Sequence, residues 1–239
     1  MVVLYALVAS LNLYLPQGDY VSLQLSSQQL PASRIVVALA VAAMVLVFYG
    51  ALGFVGLKLS RKIGFPDIWD ARVSNKQRFL IPGLIGAGLG IFLVIGDVVF
   101  SKFNTIGHFI HPPFPTSIFA SLGAGIGEEM IFRLFFISFW VWLISFVMLK
   151  GKWQKQIFWI IAVLSALAFA AAHYPALMFM LGFKTVAAIP VILQAEIILL
   201  NGVVAIFAAY YFRRYGFLAA AGIHFWTDIV WHVIWGLIK

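Results

Sequence analysis

The sequence predicts an all-α, multi-pass transmembrane helical bundle. Three observations carry that expectation. Of its 239 residues, 64% are hydrophobic and only 10% are charged, whereas a soluble domain carries about a quarter charged residues. Several apolar runs reach the ~20 residues needed to cross a bilayer. Between those runs, Lys and Arg crowd every second loop, a pattern that membrane topology imposes.

The runs fall at 1–15, 35–57, 79–100, 117–149, 157–180, 187–212 and 216–238. They give about seven membrane segments, with six to eight compatible with the pattern. The first, Met1 to Leu15, is short, has no basic start and precedes no small-residue cleavage site. It reads as a short or partly interfacial helix rather than a cleaved signal peptide. The third carries Gly83, Gly86, Gly88 and Gly90, small residues that let membrane helices approach closely. The fourth is too long for one perpendicular crossing, so it is tilted, broken or extended beyond the bilayer. Just before its charged residues stand Gly123, Gly125 and Gly127. They read as packing residues, or as room for a substrate backbone. The fifth and seventh runs each contain a histidine. No internal repeat or low-complexity stretch interrupts the chain, which reads as one integral-membrane domain over 1–239.

Basic residues set the sidedness. The loop after the second run holds Lys58, Arg61, Lys62, Arg72, Lys76 and Arg78. Lys150, Lys152 and Lys155 follow the fourth run, and Arg213 and Arg214 follow the sixth. The intervening loops hold only Lys102 and Lys184, and Lys239 ends the sequence. The rich loops are expected in the cytoplasm and the poor ones outside, in a cell (plasma) membrane. The net charge of +8 is therefore a topology signal, and no motif points to nucleic acid. With no cysteine, disulfides, a thiol nucleophile and a thiolate zinc site are excluded.

Chemistry concentrates in Gly-Glu-Glu-Met-Ile-Phe-Arg, residues 127–133. Ionisable groups at membrane depth cost roughly 2.5 to 3.5 kcal/mol each on insertion scales and usually mark a site. Glu129 and Arg133 are four apart, so they share a helix face and can pair. Glu128 points about 100° away and is left free to act as a base. His173 closes Phe169-Ala-Ala-Ala-His173, one face again. His224 opens His224-Phe-Trp-Thr-Asp228, so Asp228 stands one turn on, in reach to accept a hydrogen bond and fix the tautomer. His232 continues that face.

Together, Glu-Glu-x-x-x-Arg, Phe-x-x-x-His and His-x-x-x-Asn/Asp, in this order on successive membrane segments, resemble the CPBP intramembrane proteases. That family includes the type II CAAX prenyl endopeptidases and the bacterial Abi proteins. The resemblance covers the core 117–239. It implies an intramembrane endopeptidase in which Glu128 and His173 activate water, Glu129, Arg133 and Phe169 support the site, and His224 and Asp228 orient groups or stabilise the oxyanion. The family often has Asn where this chain has Asp228. An ionised Asp cannot donate to an oxyanion, so a support role through His224 suits it better. If a metal takes part, Glu128, His173 and His224 could hold zinc with a water. The His-Glu-x-x-His signature is absent, and a metal-free mechanism is the preferred expectation. Implied partners are the lipid bilayer and a peptide or protein substrate: a prenylated CAAX protein, a bacteriocin precursor or another membrane protein.

Two other functions fit parts of this pattern. One is a non-catalytic immunity or scaffold protein of the same fold, which has no need of the costly Glu128, His173 and His224 set. The other is a proton-coupled transporter, for which inverted repeats would be expected. Of the remaining polar residues, Asp97 is expected to be solvated near the outer end of its run. Glu196 is expected to be a hydrogen-bonded packing residue, with substrate entry or proton linkage as its sharper reading. His108 and His111 read as loop residues.

Overall fold

The computed structural model describes residues 1–17 and 32–239; they are mostly helical, with no strand among them. A short helix α1 (Val2–Asn12) comes first. Six longer helices follow, each apolar and long enough to cross a membrane. They are α2 (Arg34–Lys62), α3 (Lys76–Phe100), α4 (Thr116–Met148), α5 (Gln154–Leu181), α6 (Val191–Tyr215) and α7 (Phe217–Ile238). The multi-pass bundle is therefore present with six crossing helices among the described residues. As described, α1 has 11 residues. At 1.5 Å per residue it is about 16 Å long, roughly half the bilayer core, because its apolar run is that short.

Local chemistry sets the ends of these helices. At the start of α3, Ser74 and Gln77 cap each other: Gln77 N–H donates to Ser74 Oγ at 3.3 Å, and Ser74 N–H to Gln77 Oε1 at 3.0 Å. This reciprocal pair satisfies donors that a helix start leaves open. Between α6 and α7 the chain turns on Gly216 alone, at φ +85°. A side chain there would be strained, and its Cβ would lie 2.9 Å from the Asp67 carbonyl oxygen.

Glycines also let α3 and α7 touch backbone to backbone. A Cβ on Gly86 would stand 2.4 Å from the Ile223 carbonyl oxygen, and one on Gly90 2.8 Å from that of Thr227. The Thr227 hydroxyl completes the contact by donating to Gly86 O at 3.1 Å. Leu89, Leu93, Leu200, Val204, Ile223 and Trp231 fill the core between α3, α6 and α7.

At one end of the bundle the three basic turns meet. Gln154 donates to the Ile63 carbonyl at 2.6 Å, Gly216 abuts the Pro66 and Asp67 carbonyls, and the Arg213 guanidinium lies 4.8 Å over the Phe158 ring. Arg61 pairs with Asp67 at 2.8 Å, and its hydrogen bonds hold that carboxyl below the usual range. At the other end Thr116 donates to the Pro16 carbonyl. There Asp97 departs from expectation. It is fully buried and accepts from the His108 ring at 2.5 Å, Phe109 N–H at 3.1 Å and Trp235 Nε1–H at 3.2 Å. Position near a helix end suggested water, but donors from two other segments take its place. His111 is also more than a loop residue: its Nδ1 meets His232 Nδ1 at 3.1 Å, and its ring packs on Trp231.

Candidate active site

The site is built on α4, α5 and α7. Through Glu129, α4 is α-helical; from Met130 to Ile137 it widens into π-helical turns. Such widened turns recur at functional sites. They keep Arg133 on the Glu129 side, with Nε 3.1 Å from Glu129 Oε2. Both side chains are completely shielded. The contact is an ion pair by distance, although its angles fall outside hydrogen-bond geometry. The guanidinium also lies 4.6 Å from the centre of the Phe169 ring, a cation–π contact. Ser165 on α5 donates to the Phe132 carbonyl at 2.9 Å, tying the widened turns to α5.

Glu128 is placed differently from its neighbour. Its side chain is 39% exposed while that of Glu129 is 0% exposed. The exposed part faces a cavity of about 550 Å³, within the usual range for ligand pockets of ~300–1,000 Å³. Glu128, His173, His224, Asp228, His232 and Glu196 line it, among mostly apolar residues.

His173 owes its orientation to a break in α5. The first helical piece ends at Ala171, and the second starts at Tyr174 with Pro175 in its first turn. The His173 N–H bonds the Ala170 carbonyl, so the Phe169 carbonyl stays open to the imidazole, at 2.9 Å from Nδ1. A carbonyl only accepts, so Nδ1 carries the proton and Nε2 keeps its lone pair when the ring is neutral. The Phe169 ring sits edge-on to His173 at 5.0 Å and to His224 at 5.6 Å. This one aromatic ring contacts Arg133 and both histidines.

His224 is anchored by Glu129, not by Asp228. Its Nδ1 lies 2.8 Å from Glu129 Oε1. Asp228 Oδ2 is 3.6 Å from Nε2, and Glu128 Oε2 is 3.8 Å away, both too long for hydrogen bonds. The one-turn spacing does put Asp228 beside the ring, but a partner on another helix is closer. Glu129 thus serves two cations or donors at once, Arg133 through one oxygen and His224 through the other. Among the described residues, no hydrogen bond or ion contact joins Glu128 to His173; the shared cavity wall brings them together.

The glycines before the glutamates carry packing. A Cβ on Gly127 would stand 2.6 Å from Tyr5 Cζ, and one on Gly125 3.2 Å from the Ala221 carbonyl oxygen. The room beside residue 127 is filled by the Tyr5 ring of α1, not left for a substrate. Tyr5 is a cavity residue that sequence reasoning did not single out. Gly127, next to Glu128, was the only signal of a close neighbour. Glu196 is buried, accepts from Asn104 at 3.1 Å, and leaves Oε1 without a partner. Among the described residues, no group of three or more His, Asp or Glu is placed to hold a metal ion.

The profile of the type II CAAX prenyl endopeptidase Rce1-like family matches residues 110–230, more than half of the chain. The chain belongs to this family. The matched stretch runs from the loop before α4 into α7, so it contains all three motifs. Neither curated protein sequences nor solved structures give a match. Membership makes this an integral membrane protein of the CAAX-protease type, with peptidase activity as the family's chemistry and a membrane-associated protein as the kind of substrate.

Proposed function

We propose that the chain hydrolyses a peptide bond in or near the bilayer, with Glu128 as the base that activates water. One observation supports this most. Of two adjacent glutamates, Glu129 is consumed by Arg133 and His224, while Glu128 reaches the cavity with only a 3.8 Å contact to His224 Nε2. In this reading a water between Glu128 and His173 gives its proton to the Glu128 carboxylate. Its oxygen attacks the carbonyl carbon, and the π electrons move to oxygen to form a tetrahedral oxyanion. A donor then stabilises that charge. His224 suits the role in its protonated form, because Glu129 holds Nδ1 and Nε2 points toward Glu128 and Asp228. Collapse of the intermediate expels the amine, which takes the proton back from Glu128. Asp228 stands beside Nε2 and biases where that donor points.

Comparative proteomics tests the reading. Membranes from cells carrying the native chain are compared with those carrying Glu128→Gln, a variant that keeps size and hydrogen bonding but cannot act as a base. New peptide termini present only with the native chain are expected, and they identify substrate and cleavage site together. Identical termini in both samples would leave the scaffold reading in its place. The prenylated CAAX protein, the bacteriocin precursor and other membrane proteins are thereby told apart.

A further inference from the structure

The family match begins at residue 110, so α1 lies outside it, yet α1 forms part of the cavity wall. Tyr5, Val8, Ala9 and Asn12 all line the cavity. Their spacing of three, one and three puts them on one face of the helix. Val3, Leu4, Leu7 and Leu11, on the rest of it, are exposed. This wall is held from two sides. Ser10 donates to the Ala38 carbonyl of α2 at 3.0 Å, and the Tyr5 ring stands edge-on to Tyr49 of α2 at 4.9 Å. On the α4 side, a Cβ on Gly123 would lie 3.5 Å from the Tyr5 ring and 3.7 Å from Val8.

The two helices run antiparallel. Tyr5 packs against Gly127, next to Glu128, whereas Val8 packs one turn back, against Gly123. Going forward along α1 therefore leads away from Glu128, toward Phe119 and Ala120, which line the same cavity. Tyr5 stands at the Glu128 end of this path and Asn12 at its far end.

Asn12 carries an open acceptor. Its Oδ1 is buried and has no hydrogen-bond partner among the described residues, a condition that costs stability unless a donor arrives. Seven residues separate Asn12 from Tyr5, about 10 Å along the helix axis. An extended peptide advances about 3.3 Å per residue, so that distance covers roughly three residues.

We infer that α1 seats the substrate: Asn12 Oδ1 accepts a backbone N–H about three residues from the scissile bond, and Ala9, between Tyr5 and Asn12, limits the side chain that fits beside it. Apart from proline, each residue of a peptide offers that N–H, so Asn12 fixes register without selecting a side chain. Selection by size falls to Ala9. Neither residue touches the reacting atoms. The inference rests on the proteolytic reading above and adds the element that positions the peptide.

The full chain, purified in detergent, is assayed against a library of quenched fluorescent peptides, with Glu128→Gln as the blank. On the best substrate, Asn12→Ala is expected to raise KM about 2- to 12-fold, the worth of one neutral hydrogen bond, with a much smaller change in kcat. That split marks binding shared by the ground and transition states. Asn12→Asp keeps the acceptor oxygen and should keep KM near the native value. Ala9→Leu should remove large side chains from the cleavage profile at one peptide position. KM does not depend on how much of the enzyme is folded, so lost stability cannot imitate these effects. An unchanged KM in Asn12→Ala, or an equal rise in Asn12→Asp, overturns the role of Asn12. An unchanged profile in Ala9→Leu overturns that of Ala9. If the native chain shows no Glu128-dependent cleavage of any peptide, the proteolytic reading itself fails. If it cleaves and the α1 variants match it, only the seating by α1 fails.

Discussion

Asp97 and Glu129 are both fully buried carboxylates that meet a histidine, yet their surroundings differ in a way that separates a clamp from a reaction centre. Three donors converge on Asp97, from His108, Phe109 and Trp235. They fasten the loop before α4 and the end of α7 to α3. Glu129 holds Arg133 and His224, but its neighbour Glu128 opens onto the cavity, and so does the ring it anchors. A buried acid with every partner in place pins segments together. A buried acid that presents a second ionisable group to open space supports chemistry.

The largest expected effect is on Glu128. Glu128→Gln should lower the cleavage rate by about 10²- to 10⁴-fold, the usual contribution of a general base, while the melting temperature stays that of the native protein. A peptide-cleavage assay beside thermal melts in detergent checks this. Native-like rates in the purified variant would remove Glu128 from the base role.

Next comes the anchor of His224. Glu129→Gln leaves the Arg133 charge unpaired, which costs roughly 3 to 5 kcal/mol in a buried pair. It should lower stability and activity together. Asp228→Asn should keep stability and substantial activity, since no hydrogen bond to His224 is lost. A larger loss of activity in Asp228→Asn than in Glu129→Gln would show that the one-turn neighbour, not the cross-helix one, holds the ring.

Asp97→Ala sharpens the contrast from the other side. Hydrogen bonds to a charged group contribute about 1.5 to 3 kcal/mol each, so the melting temperature should fall clearly. The cleavage rate per folded molecule should fall far less than in Glu128→Gln. Equal losses would merge the two clusters into one functional unit.

The smallest effect concerns pH. Burial pushes His111 from its ordinary value of 6.5 down to about 4, with Lys239 and His108 adding to the shift and Asp97 opposing it. The folded protein keeps this ring neutral in the window where the unfolded chain takes up a proton. Its contribution is therefore complete above about pH 6.5 and is lost as pH falls toward about 4. Melting temperatures measured across that window should decline, and the decline should be shallower in His111→Asn. An unchanged slope in the variant would assign the pH dependence to other groups.

Much of the site was legible from spacing alone. The Glu129–Arg133 pair and the separate direction of Glu128 follow from the helix repeat, and the glycine face of α3 follows from residue size. What spacing could not give were contacts between helices. The bond from His224 to Glu129 joins residues far apart in sequence, and nothing local distinguishes Glu129 from the nearer Asp228. Asp97 looked solvated because its donors lie in a loop and on α7. Gly127 announced a close neighbour without naming Tyr5. The short α1 was ambiguous because an apolar run of that length suits an interfacial piece as well as a span.

The glycine contact between α3 and α7 has a consequence for reading mutational data. A methyl group at position 86 or 90 would collide with the backbone of the helix that carries His224 and Asp228. A saturation-mutagenesis screen scored on activity should therefore rank Gly86 and Gly90 beside the motif residues for intolerance, although neither lines the cavity. Only a parallel measurement of how much protein accumulates in the membrane would distinguish such positions from those that perform the reaction.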